Sequence, residues 1–78
     1  MHVVLVTRKG CHLCDEALAL LRELGLEPDL ADVDADDNLF RLYDWRVPVV
    51  LVNSDLVAEG RITRDVLEGA LKRSGREI

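Results

Sequence analysis

The chain has 78 residues, 49% of them hydrophobic and 32% charged, with a formal net charge of −5. A chain this short buries only about 60% of the surface it exposes when unfolded, so residues 1–78 are expected to form one small domain with no separate substrate domain. The acidic balance argues against nucleic acid, which needs a basic surface to displace counterions from phosphates, and no apolar run approaches the roughly 18 residues of a membrane span.

One Phe, one Tyr and one Trp leave the core to Val, Leu, Ile and Ala. No Lys/Arg-led apolar segment with a small-residue cleavage site begins the chain, and the expected compartment is the cytoplasm. Arg61, Arg64, Lys72, Arg73 and Arg76 near the C-terminal end read as the solvated side of a helix.

Residues 2–6 form a nearly continuous apolar run, as expected of a strand covered on both faces. Thr7-Arg8-Lys9-Gly10 breaks it. From Cys11 onward, Cys14, Ala17, Leu18, Leu21 and Leu24 recur at three- and four-residue steps, with Asp15, Glu16, Arg22 and Glu23 on the other side. The spacing predicts an amphipathic helix that stops at Gly25. Leu30, Ala31 and Val33 suggest a second strand.

The acidic cluster Asp32, Asp34, Asp36 and Asp37 starts like a calcium-binding EF-hand loop. It then fails the template, because Asp37 stands where glycine is needed and Tyr43 where glutamate is needed. Those aspartates are read instead as a strand end and a helix cap at Asp36 or Asp34. Asn38 to Asp44 then forms a short helix with Leu39, Leu42 and Tyr43 at helical spacing, ended by the restriction that Pro48 places on Val47.

Residues 48–52 are the third strand, Asn53-Ser54-Asp55 a tight turn and Leu56-Val57-Ala58 the fourth strand of a hairpin. Thr63 caps a last helix with Val66, Leu67, Ala70 and Leu71 facing inward, stopping near Ser74-Gly75. The order is βαβαββα. A βαβ unit makes its strands parallel and a hairpin makes its strands antiparallel, so the expectation is an α/β fold with a mixed four-stranded sheet and helices on both faces.

Cys11 and Cys14 are the only cysteines. A bridge between them closes too short a loop to stabilise the chain much, and a reducing compartment does not preserve structural disulfides. Disulfide exchange, by contrast, needs one accessible thiol that ionises easily and a second close enough to resolve the mixed disulfide. A helix start supplies both, through unpaired amides and the positive dipole end at Cys11 and a one-turn offset to Cys14. Cys11 is therefore assigned as nucleophile and Cys14 as resolving thiol, with His12 and Lys9 as charges that tune the thiolate. Two alternatives use the same residues. One is a metal or iron–sulfur module, for which two soft ligands fall short of the usual four; the other is a redox-inert adaptor.

Thr7 to Ala17, Asp32-Val33-Asp34 and Arg46-Val47-Pro48-Val49 together closely resemble the small glutaredoxin-like proteins of the thioredoxin-fold superfamily. The resemblance implies a three-layer thioredoxin-like fold, a dithiol–disulfide active site and a cis peptide bond before Pro48. It also implies a substrate-pairing backbone at Val47, with Arg46 beside it. The partner would be a disulfide-containing protein or a low-molecular-weight thiol, and the electron donor glutathione or thioredoxin reductase, acting on a monomer with no resident cofactor or metal. Where glutathione-using members carry Gly-Gly followed by an aspartate, this chain has Glu59-Gly60-Arg61-Ile62, which counts against glutathione. Trp45 is expected to be a half-buried packing residue rather than a substrate contact, and His2 has no assigned role.

Overall fold

The computed structural model describes residues 2–74. Its strands are β1 (Val3–Thr7), β2 (Asp29–Asp32), β3 (Val49–Val52) and β4 (Asp55–Glu59), and its helices are α1 (His12–Glu23), α2 (Asp37–Tyr43) and α3 (Arg64–Ser74). They form one sheet in the order β2-β1-β3-β4, with β1 parallel to β2 and β3 antiparallel to both β1 and β4. The element order and mixed sheet are those expected; most boundaries move by a residue or two.

Strand alternation divides the core in two. Val3 and Leu5 of β1, Val50 and Val52 of β3 and Ala58 of β4 point to one face, where Ala17 and Leu21 of α1, Leu67 of α3 and Ile62 cover them. Val6 and Val49 point to the other face and meet Val33, with Leu39 and Tyr43 of α2 packed against them.

Local chemistry sets the element ends. Gly25 adopts φ +83°, its N–H reaches the Arg22 carbonyl at 3.0 Å and the Leu26 N–H reaches the Leu21 carbonyl at 3.0 Å, which closes α1 as a Schellman motif. The Asp36 carboxylate accepts from the N–H groups of Asn38 and Leu39 at 2.8 and 3.1 Å, capping α2. Asn53 and Ser54 both have positive φ, as a two-residue hairpin loop demands. The Thr63 hydroxyl accepts from the Val66 N–H at 3.3 Å at the start of α3.

Three details depart from expectation. Val33 belongs to a 3₁₀ turn over Val33–Ala35 rather than to β2, because the Asp32 carboxylate takes the Asp34 N–H at 2.9 Å and turns the chain. Val66 is 53% exposed, since the inward stripe of α3 runs through Leu67, Ala70 and Leu71, and Ile62 fills the adjoining core position. Trp45 is 94% exposed, because Leu39 and Tyr43 take the inward positions of α2 and carry Trp45 past the core. The expected stop at Gly75, and Arg76 with it, lie outside the described residues.

Candidate active site

The register that pairs Val6 with Val49 brings the chain leaving β1 and the chain entering β3 to the same end of the sheet. At that end the Cys11 N–H donates to the Arg8 carbonyl at 3.1 Å, closing a turn over Arg8 to Cys11. Gly10 sits in it at φ +78°, the third position of a turn that needs a left-handed residue. The turn delivers Cys11 to the N-cap of α1.

There the Cys11 Sγ accepts the Cys14 N–H at 3.1 Å, taking the place that a serine or aspartate oxygen fills in an ordinary helix cap. Cys11 and Cys14 are disulfide-bonded, with Cα atoms 5.2 Å apart. The two sulfurs are not equivalent: Cys14 is 3% exposed, whereas Cys11 is only partly buried. His12 points along the helix to Glu16, its Nε2 2.8 Å from the carboxylate, with its side chain 85% exposed. Lys9 lines a surface cleft of ≈ 360 Å³ on the β2 side of the turn, together with Gly10, Cys14, Leu18, Leu30 and Asp32.

The Val47–Pro48 peptide bond is cis and the Pro48 side chain is buried. The Gly60 N–H reaches the carbonyls of Arg46 and Pro48 at 3.2 and 2.8 Å, holding the residues on either side of Val47. Among the described residues the N–H and carbonyl of Val47 have no hydrogen-bond partner.

Arg46 is engaged within the fold. Its Nε and Nη2 bond the two Glu59 carboxylate oxygens at 2.8 and 2.6 Å, and its guanidinium lies 5.5 Å from the Tyr43 ring centroid. The hydrogen bonds from Arg46 hold the Glu59 carboxyl below the ordinary glutamate range, because they favour its charged form. Arg46 is thus already bound to a carboxylate of its own chain.

Sequence reading overlooked Arg8, the second neutralised cation of this end. Its Nε and Nη2 bond the Asp34 carboxylate at 2.9 Å each, its Nη1 reaches the Asp44 carbonyl at 3.1 Å, and Nη2 also bonds the Asp44 carboxylate. Hydrogen bonding by Arg8 holds the Asp34 carboxyl below the usual aspartate range. One side chain therefore ties the turn that carries Cys11 to the 3₁₀ turn after β2 and to the end of α2. The available signal was an arginine beside the CxxC followed by an aspartate-rich stretch. Among the described residues no group of three or more His, Cys, Asp or Glu side chains stands close enough to hold a metal ion.

A four-stranded mixed sheet in this order, with a cysteine pair at the start of the first helix and a cis proline entering the third strand, defines a thioredoxin-like fold of glutaredoxin type. The chain belongs to the glutaredoxin-like domain family (DUF836), whose model matches residues 2–72. The solution structure of protein Ne2328 from Nitrosomonas europaea is 36% identical, superposes with a TM-score of 0.74 and covers 87% of each chain. The X-ray structure of protein XcR50 from X. campestris is 26% identical with a TM-score of 0.78, covering 91% of this chain and 96% of that one. No curated protein matches the sequence. The family and the cysteine pair fit a redox role.

Proposed function

We propose that the protein is a thiol–disulfide oxidoreductase in which Cys11 attacks and Cys14 resolves. The observation that carries this reading is the position of the Cys11 sulfur at the N-cap, accepting the Cys14 N–H at 3.1 Å. In the reduced protein that N–H and the positive end of α1 stabilise a thiolate at Cys11.

The Cys11 thiolate attacks one sulfur of a substrate disulfide. A Cys11–substrate disulfide forms, and the other substrate sulfur leaves as a thiolate and takes a proton from water. Deprotonated Cys14 then attacks the Cys11 sulfur, the Cys11–Cys14 disulfide forms and the second substrate thiol is released. Two electrons and two protons pass to the substrate, and an external dithiol or two monothiols restore the reduced pair. The unpaired N–H and carbonyl of Val47 receive an extended substrate segment, with Pro48 setting the backbone direction. Lys9 adds positive potential beside the turn; His12, directed to Glu16, acts only through charge.

Alkylation and exchange test the roles. With the reduced protein at neutral pH, iodoacetamide is expected to modify Cys11 at least about tenfold faster than Cys14, following thiolate character and exposure. Cys11→Ser should abolish reduction of a disulfide substrate, whereas Cys14→Ser should accumulate the mixed disulfide. Full activity in Cys11→Ser with none in Cys14→Ser would reverse the assignment.

A further inference from the structure

We propose that Arg8 is a positioning residue for the exchange, a strut that sets the gap between the Cys11 sulfur and the Val47 backbone so that one extended disulfide substrate reaches both. This deepens the redox reading above and rests on it. The paired register of β1 with β3 ends at Val6 and Val49, so Cys11 and Val47 both lie beyond the last rung between those strands. The Arg8 side chain crosses the space past that rung. On one side, Lys9 and Gly10 separate Arg8 from Cys11, and the Arg8 carbonyl takes the Cys11 N–H at 3.1 Å. On the other, Nη1 donates to the Asp44 carbonyl at 3.1 Å and Nη2 bonds the Asp44 carboxylate. From Asp44 the chain reaches Val47 through Trp45 and Arg46, and Arg46 is fixed at both ends: its N–H donates to the Tyr43 carbonyl at 2.9 Å and its carbonyl accepts the Gly60 N–H at 3.2 Å. Two short backbone arms thus run from one guanidinium to the two halves of the site.

The same contacts set Arg8 apart from a cation that serves a thiolate or a ligand. All three guanidinium nitrogens are engaged, with Nε and Nη2 on Asp34 at 2.9 Å each, and the Phe40 ring centroid lies 5.9 Å from the guanidinium carbon. The carboxylates of Asp34 and Asp44 outnumber its single charge, which leaves little of its positive potential for Cys11. What Arg8 supplies is geometry. A planar fork of fixed donors holds Asp34 and both acceptors of Asp44 at once, whereas a lysine is a point charge on a flexible stem. An extended substrate has to meet the Cys11 sulfur and the Val47 backbone together, and misplacement by about 1 Å can cost such an arrangement about 10²-fold in rate. A small disulfide needs Cys11 alone.

The test is single-turnover reduction by the pre-reduced protein of two probes: a disulfide-linked dimer of an uncharged cysteine-containing peptide, and bis(2-hydroxyethyl) disulfide. The pH dependence of Cys11 alkylation by iodoacetamide reports the thiolate in the same variants. Arg8→Lys and Arg8→Gln are both expected to slow the peptide dimer at least about tenfold and the small disulfide less than about twofold, with the alkylation midpoint unmoved. Asp44→Asn, which keeps the Asp44 carbonyl and the Asp34 fork, should slow the peptide dimer alone, by less than either Arg8 variant. Arg22→Gln, which breaks an exposed pair with Glu27, should change neither rate. A variant whose Cys14 is alkylated as fast as its Cys11 has lost its fold, and the remaining variants then decide. A full peptide rate in Arg8→Lys or Arg8→Gln, or equal slowing of both probes with a raised alkylation midpoint, would overturn the strut while leaving the redox reading in place. Failure of the unsubstituted protein to reduce even the small disulfide would overturn the redox reading, and the strut with it.

Discussion

The two faces of the sheet are held by different forces. On the face of α1 and α3, Leu5, Leu21, Val50 and Leu67 are wholly buried and packed on one another, and burial of apolar surface supplies the stabilisation. On the face of α2 the buried cluster is only Val6, Val33 and Val49, and no residue of α2 itself is fully buried. Arginine–carboxylate ties add to the packing of Leu39 and Tyr43 on that face: Arg8 to Asp34 and Asp44, and Arg46 to Glu59. Cys11 stands at the start of the apolar-packed helix, while the cis Val47–Pro48 turn belongs to the ionically tied side. Burial is insensitive to salt and little affected by pH, whereas exposed ion pairs respond to both. The cysteine scaffold and the 46–48 turn are therefore expected to respond separately to solution conditions.

The largest effect should come from the apolar face. Leu21→Ala is expected to cost about 2–5 kcal/mol, measured as a shift of the urea midpoint, because it empties a fully buried site. Val33→Ala on the other face removes less surface and should cost about 2 kcal/mol at about 0.8 per buried carbon. Equal losses would erase the contrast between the faces.

Acid should act on the α2 side first. The carboxyls of Glu59 and Asp34 are held below their ordinary ranges by arginine hydrogen bonds, so their contribution is complete above the unfolded pKa and fades as pH falls through the lowered folded value. Below about pH 4, amide exchange is expected to quicken in α2 and the 46–48 turn before it does in α1. Arg8→Gln should remove part of that pH dependence, and high salt should mimic its effect. Uniform acid opening of both faces would contradict the division.

The smallest effect on stability belongs to Trp45→Ala, within about 0.5 kcal/mol by urea titration, because that side chain packs against almost nothing. A loss above that range would mean that Trp45 supports the fold after all.

What was legible in the sequence follows from the range over which each signal acts. Leu21 and Ala17 announced their inward side through spacing within one helix, and Gly25 announced its stop through its own dihedral freedom. Cys11 and Cys14 were legible for the same reason, since a pair three residues apart after a strand needs no distant chain to form a site. Trp45 was misjudged because average tryptophan burial says nothing about the side of α2 on which it falls. The Arg46–Glu59 pair was not legible because Glu59, thirteen residues on, reaches Arg46 only once β3 and β4 have folded back.

By itself the sequence determined the strand and helix order, the alternation that divides β1 and β3 between two faces, and the cysteine pair at a helix start. These rest on backbone propensity and on periods of two and 3.6 residues, which act within a few positions. Only the tertiary structure decided that the Val47–Pro48 bond is cis, that Arg8 and Arg46 are neutralised by their own chain, and that Trp45 stands in water. Arg8 finds Asp34 and Asp44 across 26 and 36 residues, a pairing that exists only when β1, β2 and the end of α2 converge. Local rules could locate the cysteines, but which charges stay unpaired depended on which carboxylates the fold had already used.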